Sequence, residues 1–224
     1  GQAFARALVE RGARTVYAGA RDPQSIVDPG VTPIHLDITD PAGVAAAAAR
    51  CADVTLLVNN AGILRAGSLL GAPSLDGARE ELETNLFGTL AMCRAFAPVL
   101  GGNGGGAVVN MLSVLSFFSI TPWASYCVSK AAAWSMTNAL RLELREQGTL
   151  VVGVHAGLID TDMSAGAEGP KITAESVAAQ TFDAVEAGRE EVLADERARH
   201  IKAALSGDLE LIYGAGRDSA SVRR

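Results

Sequence analysis

The chain contains 224 residues, of which 49% are apolar, 20% are charged and 24 are glycine. The apolar fraction is enough for a sizeable core and excludes an intrinsically disordered chain. Nineteen basic and 25 acidic residues give a net charge of −6, so nucleic acid is not expected as a partner. The length favours one domain of ordinary size, or two small ones.

The cysteines and histidines form neither a disulfide framework nor a metal site. The three cysteines cannot all pair and show no CxxC spacing, so we expect buried, reduced thiols in a cytoplasmic protein. The three histidines lack metal-ligand spacing, so no metal is expected. No apolar run reaches the ~18 residues of a membrane span, and no signal peptide is visible. The cysteines are Cys51, Cys93 and Cys127, and the histidines are His35, His155 and His200.

The first half of the chain alternates between helical and extended patterns. Phe4 and Leu8 lie one helical turn apart, and Gly12 follows as a helix-ending glycine. Apolar runs then predict strands, and Asp40-Pro41 predicts a helix start. In order, the predicted elements are a helix over 2–11, strands over 15–20 and 31–38, a helix over 40–50, a strand over 53–62 and a helix over 75–99.

The second half continues the alternation. The predicted elements are a strand over 107–113, a helix from 121 to about 146, a strand over 149–157, a helix over 173–188 and a strand over 191–194. The glycine-rich segment 101–106 precedes a strand rather than a helix, so we interpret it as a plain loop. The strands are near-continuous apolar runs, typical of strands buried on both faces. The pattern predicts a doubly wound parallel sheet in a Rossmann-like, three-layer α/β/α domain over residues 1–224.

Polar or glycine-rich residues follow several of the predicted strands. The segment Asn59-Asn60-Ala61-Gly62 ends one strand, Ser113 ends the next, and Gly157 begins the turn after another. In such sheets, ligands bind beyond the C-terminal ends of the strands. We therefore expect a ligand site at this edge of the sheet.

Ser113, Tyr126 and Lys130 form the strongest set of candidate catalytic residues. Tyr126 and Lys130 are four positions apart on a predicted helix and therefore share one face. The lysine ammonium favours the phenolate and is expected to lower the tyrosine pKa from ~10, so that Tyr126 could exchange a proton near neutral pH. Ser113 could donate a hydrogen bond to the same substrate oxygen. Tyr126 taken alone is equally compatible with a half-buried structural tyrosine.

Together with Asn85 in TNLFG and the NNAG segment 59–62, these residues resemble the short-chain dehydrogenase/reductase family, in its compact single-domain branch. The resemblance covers nearly the whole chain. It implies that Tyr126 is the catalytic acid/base and that Ser113 orients the substrate oxygen. It further implies that Lys130 lowers the tyrosine pKa and binds the nicotinamide ribose, while Asn85 holds a water in the proton relay.

The same resemblance implies a set of dinucleotide-binding residues. The NNAG segment would line the adenosine side, Asp37 would contact the adenine ring, and Ile159 and Thr161 would contact the nicotinamide carboxamide. The family usually has Pro-Gly where this chain has Ala156-Gly157, a change that we expect to loosen the turn slightly. The implied cofactor-binding residues are Gly1, Arg21, Asp37, Ile38, Asn59, Asn60, Ala61, Gly62, Tyr126, Lys130, Gly157, Ile159 and Thr161.

Arg21 bears on the choice between NAD and NADP. An acidic residue at the end of this strand accepts hydrogen bonds from the ribose of NAD, whereas an arginine accommodates the 2′-phosphate of NADP. Here Ala20 stands in the acidic position and Arg21 follows it. A guanidinium–phosphate contact contributes ~1.5–3 kcal/mol, so NADP is expected in preference to NAD. The alternative is that Arg21 is a solvated turn residue paired with Asp22.

The chain departs from the family pattern at its start. The family begins with a strand and a glycine-rich turn, TGxxxGxG, whose amides hold the pyrophosphate. Only Gly1 matches this turn, as its final glycine. Either the sequence begins late, which we favour, or the protein is truncated. Removal of this central strand would leave two neighbouring strand edges unpaired.

The region after Ser113 bears on the substrate. Phe117, Phe118 and Trp123 either wall a pocket for an apolar carbonyl or alcohol, or belong to the core or a subunit contact. Segment 163–171 resembles the mobile segment that closes over substrate in the family. The resemblance also implies a homodimer or homotetramer, with no membrane partner. The polar segment 216–224 is expected to be a disordered terminus.

The leading hypothesis is an NADP-dependent oxidoreductase that interconverts a ketone or aldehyde with its alcohol by hydride transfer. The alternative is a non-catalytic relative with a binding or regulatory role. The presence of Ser113, Tyr126, Lys130 and Asn85 argues against this alternative, and the incomplete glycine-rich turn argues for it. A lyase-type relative such as a dehalogenase would carry arginine where Lys130 stands, so it is disfavoured.

Overall fold

The computed structural model describes residues 1–65, 67–121, 123–207 and 212–213. The strands are β1 (Val16–Ala20), β2 (Val31–His35), β3 (Leu56–Asn59), β4 (Ala107–Met111), β5 (Leu150–His155), β6 (Leu158–Ile159), β7 (Lys171–Ile172) and β8 (Glu191–Leu193). The α-helices are α1 (Gln2–Glu10), α2 (Pro41–Arg50), α3 (Asp76–Leu82), α4 (Thr89–Gly102), α5 (Ala124–Glu143), α6 (Ala174–Glu186) and α7 (Glu196–Ala204). A π-helical segment, Glu83–Gly88, joins α3 to α4.

The paired strands run parallel, which confirms the predicted α/β class. β3, β4, β5 and β8 form a four-stranded sheet in that order, β1 pairs with β2, and β6 pairs with β7. Within the part of the chain that the structure describes, β1 and β3 each pair with one neighbouring strand. The β1–β2 pair and the four-stranded sheet are therefore not hydrogen-bonded to each other among the described residues, and β3 is an edge strand. Unpaired edges of this kind are what we expected if the family's first strand is missing.

Helices cover both faces of the four-stranded sheet. On one face Val108 and Val151 pack with side chains of α2, α4 and α5, and on the other Val109 and Val152 pack with side chains of α1 and α6. Successive residues of a strand point to opposite faces, so β4 and β5 supply both apolar layers. Each of these valines is at most 1% exposed, and burial of one such side chain contributes roughly 1.5–3 kcal/mol. The predicted three-layer arrangement is confirmed.

Side chains cap two helices where the sequence predicted helix starts. Asp40 accepts two hydrogen bonds of 3.1 Å from backbone N–H groups in the first turn of α2. Thr173 accepts one of 3.1 Å from the N–H of Ser176 in α6. These bonds satisfy N–H groups that have no partner within the helix. All three cysteines are free and buried, as expected.

The glycine-rich segment is a tight connection between α4 and β4. Gly105 and Gly106 have φ angles of 102° and 66°, a left-handed conformation that favours glycine. A Cβ atom at Gly106 would lie 2.1 Å from the carbonyl oxygen of Thr55. Backbone packing therefore requires glycine here, in agreement with the plain-loop interpretation.

Several predicted boundaries are wrong by a few residues. The helix predicted over 75–99 contains the π-helical segment and ends at Gly102. The helix predicted from 121 to 146 begins at Ala124, after Trp123, and ends at Glu143. Residue 122 and the tail 216–224 lie outside the described residues.

β2 is shorter than the strand predicted over 31–38. The carboxylate of Asp37 accepts hydrogen bonds from the backbone N–H and the hydroxyl of Thr39, at 2.9 and 2.7 Å. This local bonding turns the chain out of the extended conformation, so β2 ends at His35.

Among the described helices, none combines the length and the apolarity that crossing a membrane requires.

Candidate active site

Ser113 lies just beyond β4 and begins a short 3-10 turn, Val114–Ser116. Its hydroxyl oxygen accepts a hydrogen bond of 3.1 Å from the backbone N–H of Leu115. Its own N–H donates to the hydroxyl of Ser116 at 3.2 Å. The turn thus fixes the Ser113 side chain, and the hydroxyl proton remains available for donation.

Tyr126 and Ser113 meet at the wall of a cavity of about 280 Å³. Both side chains line this cavity, and each residue is 8% exposed. Most of the remaining wall is apolar and includes Leu64, Leu112, Leu115, Trp123, Ile159 and Met163. Within the described residues, no side chain that lines this cavity carries a formal charge. The two predicted hydroxyl groups therefore share an apolar pocket.

The pKa of Tyr126 differs from the sequence prediction. Burial raises this pKa above the ordinary value for tyrosine, and the nearby Ser113 side chain offsets part of the rise. The predicted decrease is wrong for this arrangement, because removal from water disfavours the charged phenolate. The phenol is therefore held in its protonated form.

Lys130 lies one helical turn after Tyr126 on α5, as predicted. Its Nζ atom is 5.7 Å from the centre of the Tyr126 ring and donates a hydrogen bond of 2.9 Å to the carbonyl oxygen of Met111. Burial lowers the pKa of Lys130 to about 8. A buried lysine whose pKa lies this close to neutrality is suited to holding or passing a proton.

Asn85 lies in the π-helical segment and is 2% exposed. Its side chain exchanges two hydrogen bonds with the backbone of Ile63, at 2.8 and 2.9 Å, in the loop after β3. A Cβ atom at Gly62 would lie 3.2 Å from Oδ1 of Asn85 and 3.6 Å from Nζ of Lys130. Glycine therefore allows this loop to pass close to both predicted residues.

Ser129 links Asn85 to Tyr126, and the sequence argument did not identify it. Nδ2 of Asn85 donates to the Ser129 hydroxyl at 2.9 Å, and that hydroxyl donates to the carbonyl oxygen of Tyr126 at 2.8 Å. Ser129 is fully buried. Its position three residues after Tyr126, on the same helical face, was the available signal.

A second cavity, of about 660 Å³, opens at the ends of β1, β2 and β3. Five of the predicted cofactor-binding residues line it, namely Arg21, Asp37, Ile38, Ala61 and Gly62. The cavity thus combines an exposed guanidinium, a carboxylate and the backbone of a small-residue loop. Hydrogen bonds from Thr39 lower the pKa of Asp37, which keeps its carboxylate ionised.

Arg21 has no ion pair with Asp22 in the part of the chain that the structure describes. The Asp22 carboxylate instead accepts a hydrogen bond of 3.0 Å from the backbone N–H of Gln24. Arg21 is exposed at the cavity rim. This geometry leaves its guanidinium available and disfavours the alternative of an Arg21–Asp22 pair.

The first two residues of the NNAG segment do not line either cavity. Asn59 points into the core, where its Nδ2 donates to Asn110 at 2.9 Å. Asn60 lies beside Gly1, since a Cβ atom at Gly1 would be 3.3 Å from Nδ2 of the Asn60 side chain. The predicted adenosine-side role thus fits Ala61 and Gly62, whereas Asn59 joins β3 to β4.

The stretch after β5 forms another wall of the smaller cavity. Gly157, Ile159 and Thr161, all predicted to bind cofactor, line it together with Met163. The backbone N–H of Gly157 donates a hydrogen bond of 2.5 Å to the carboxylate of Asp195. Asp195 also caps α7, a link between helix and loop that no sequence signal suggested. Met163 belongs to segment 163–171, which the resemblance predicts to close over substrate, so this segment borders the cavity.

Two aromatic residues after Ser113 belong to the core. Phe117 and Phe118 are 9% and 8% exposed and pack in one cluster with Ala198 and Ile201 of α7. Trp123, by contrast, lines the smaller cavity. Of the two roles considered for this region, the phenylalanines take the core role and the tryptophan the pocket role.

Comparisons with known proteins agree with this arrangement. A family model described as short chain dehydrogenase matches residues 1–171. A short-chain dehydrogenase from Burkholderia cenocepacia J2315, whose crystal structure is in complex with NADP, is 42% identical. Its structure superposes with a TM-score of 0.91, and the match covers 96% of this chain and 91% of that chain.

Two curated relatives are more distant. The NADP-dependent 3-hydroxy acid dehydrogenase of Schizosaccharomyces pombe is 29% identical over 161 residues, or 70% of this chain and 62% of that protein. The probable oxidoreductase EphD of Mycobacterium tuberculosis is 36% identical over 138 residues, or 59% of this chain and 23% of that protein. The chain thus spans less than two thirds of the length of each. On the match over residues 1–171, the chain belongs to the short-chain dehydrogenase family.

Proposed function

We propose that the protein is an NADP-dependent oxidoreductase that interconverts a ketone or aldehyde with its alcohol. The observation that carries this proposal is the meeting of the Tyr126 and Ser113 hydroxyls in one apolar cavity, with Lys130 one turn behind. We further propose that residues 1–224 act as one dinucleotide-binding and catalytic domain.

In this proposal the chain's own residues handle the proton. Tyr126 donates it to the carbonyl oxygen during reduction and removes it from the hydroxyl during oxidation. Ser113 donates a hydrogen bond to the same oxygen, and its fixed hydroxyl stabilises the charge that develops there. Lys130, one turn behind Tyr126, binds the nicotinamide ribose, while Asn85 holds the relay water. When bound, NADPH supplies the hydride.

The residues around the two cavities fit such a dinucleotide. The free guanidinium of Arg21 suits a 2′-phosphate, and the small residues Ala61 and Gly62 allow close backbone approach. Gly157, Ile159 and Thr161 would hold the nicotinamide end beside Tyr126. The complex of the Burkholderia cenocepacia relative with NADP supports the assignment, and we propose NADP in preference to NAD.

The substrate is proposed to be apolar. The polar side chains that line the smaller cavity are hydroxyl groups and the indole of Trp123, and none of its lining side chains among the described residues is charged. A carboxylate placed there would lose hydration without gaining a cationic partner. A matched pair of cyclohexanones, with a methyl group or a carboxylate opposite the carbonyl, tests this proposal. We expect kcat/KM to be higher for the methyl compound, and a preference for the carboxylate would contradict it.

We also propose a cytoplasmic homodimer or homotetramer that associates through the helices holding Asn85 and Tyr126. The π-helical segment packs against α5. Phe87 and Val128, one from each, are 52% and 45% exposed and offer apolar surface that a subunit contact would bury. Sedimentation velocity tests this proposal, and a monomer at micromolar concentration would overturn it.

The first experiment is a titration with NADPH and separately with NADH, followed by the fluorescence of Trp123 and Trp134. Binding of NADPH that is clearly tighter than binding of NADH supports the proposal and justifies a screen of carbonyl substrates. Binding of neither would favour the alternative of a non-catalytic relative.

The second experiment is Tyr126→Phe, which removes the proposed acid/base and keeps the ring. We expect turnover to fall by roughly a hundred- to ten-thousandfold, with NADPH affinity nearly unchanged. Equal loss of turnover and NADPH affinity would indicate that Tyr126 is structural.

A further inference from the structure

His155, the last residue of β5, is fully buried and faces Ser113. Its Nδ1 atom lies 3.1 Å from the carbonyl oxygen of Ser113. A carbonyl oxygen can only accept a hydrogen bond, so Nδ1 must carry the proton. The neutral ring then has a bare Nε2 atom.

Among the described residues, Nε2 makes no hydrogen bond that would favour the other tautomer. Oε1 of Glu191 lies 3.8 Å away from it. Nζ of Lys202 holds that carboxylate oxygen at 2.8 Å. Burial lowers the pKa of His155 to about 4, which keeps the imidazole neutral at physiological pH. The single N–H of the ring is therefore directed at Ser113.

Aromatic neighbours hold the imidazole ring in place. Phe117 stacks on it with ring centres 4.1 Å apart and planes 22° from parallel, and Trp134 meets it edge-on at 6.1 Å. Lys202 sits over both aromatic rings, at 4.9 and 5.0 Å from their centres. This packing resists a ring flip, so the direction of the Nδ1–H group is set by the core.

The hydrogen bond from His155 ties the carbonyl oxygen of Ser113 to a residue outside its own turn. The other hydrogen bonds of Ser113 come from its own turn, including one of 3.0 Å from the N–H of Ser116 to its carbonyl oxygen. On the next residue, the N–H of Val114 donates to the carbonyl oxygen of Ala156 at 2.8 Å. The end of β5 and the residue after it thus hold the Ser113 turn through two adjacent hydrogen bonds, one of them from a side chain.

We propose that His155 is a positioning residue for Ser113, whose carbonyl it holds so that the serine hydroxyl faces the cavity. The inference rests on the proposed function, because Ser113 must act on a substrate oxygen. A small displacement of a group that contacts the reacting atoms reduces the rate strongly, even when its cause lies behind them.

The test compares His155→Leu, which removes the donor, with His155→Asn, whose amide nitrogen can occupy the place of Nδ1. We expect His155→Leu to lower kcat roughly ten- to hundredfold with NADPH affinity unchanged. His155→Asn should restore most of the loss. Ile201→Val, which trims the same core cluster without touching the bond, is the matched control and should leave kcat unchanged.

Nitrogen-15 NMR of the imidazole tests the geometry without any substrate. A protonated Nδ1 and a bare Nε2 are expected, and the reverse tautomer would overturn the inference. Unchanged kcat in His155→Leu, or equal losses in the Leu and Asn variants, would overturn it as well. If the wild-type protein reduces no carbonyl compound, the proposed function fails, and the tautomer still decides whether His155 holds Ser113.

Discussion

The catalytic candidates are held by backbone atoms at the end of β4. Lys130 donates to the carbonyl of Met111, and the hydroxyl of Ser113 accepts from the N–H of Leu115. The spacing of Tyr126 and Lys130 on one helical face could be predicted from the sequence, because it depends on helix periodicity alone. The role of His155 could not, because its partner is a backbone atom 42 positions away.

At the residue scale, Arg21→Ala tests how the protein selects its dinucleotide. Loss of the guanidinium removes the proposed contact with the 2′-phosphate, a charge-assisted bond of ~1.5–3 kcal/mol. We expect NADPH binding to weaken by roughly ten- to hundredfold while NADH binding stays nearly constant. Fluorescence titration of both dinucleotides measures the ratio.

Arg14→Ala is the matched control for Arg21→Ala. It removes the same charge from an exposed arginine that does not line the larger cavity. An equal effect of the two substitutions would mean that overall charge, not a direct contact, selects NADP. An unchanged ratio in Arg21→Ala would leave Arg21 as a solvated turn residue.

At the scale of elements, the side-chain caps that start α2 and α6 were predictable from the sequence, whereas α7 with its Asp195 cap and the local distortions were not predicted. Asp40 and Thr173 form their caps within one turn, so a few neighbouring residues determine them. The π-helical segment at 83–88 instead accompanies bonds from Asn85 to Ile63 and Ser129, which lie in other elements. Such tertiary contacts leave no periodic signal in the sequence.

Asp195 connects α7 to the proposed nicotinamide loop. One carboxylate oxygen accepts from the N–H of Ala198 at 2.8 Å and caps the helix, and the other accepts from the N–H of Gly157. Asp195→Ala removes both bonds. We expect NADPH affinity to fall by about threefold to tenfold as the loop loosens, and stability to fall by about 1 kcal/mol as the cap is lost.

Asp195→Ser separates the two effects, because serine is a good helix cap but is too short to hold both N–H groups. This variant should retain most of the thermal stability and show the same loss of NADPH affinity as Asp195→Ala. Unfolding by heat and titration with NADPH provide the two readouts. If affinity in Asp195→Ser matches that of the wild type, the bond to Gly157 does not position the loop.

At the scale of the whole molecule, the layers followed from apolar strands alternating with helices. Val108, Val109, Val151 and Val152 give β4 and β5 two apolar faces, which a parallel sheet covered by helices can bury. The interior also contains His155, which is fully buried, so protonation of this one ring affects the stability of the whole fold. Glu191 favours its charged form, whereas Lys202 and Arg141 disfavour it.

This burial predicts a loss of stability in mild acid. The pKa of His155 is about 4 in the folded protein and ordinarily 6.5, so the unfolded chain binds more protons between these values. The free energy of unfolding should therefore fall as the pH falls from 6.5 to 4, by up to about 3 kcal/mol. Urea denaturation at several pH values across this range measures the slope.

His155→Asn removes the titrating ring, so its free energy of unfolding should change much less between pH 6.5 and 4, whatever its value at neutral pH. His35→Asn is the matched control, because His35 is exposed at the end of β2. It should keep the acid sensitivity of the wild type. Since the ring that titrates is also the one that holds Ser113, protonation would place a charge directly behind the candidate active site. If the free energy of unfolding of His155→Asn falls with pH as steeply as that of the wild type, other groups cause the acid sensitivity, and the burial of this histidine does not.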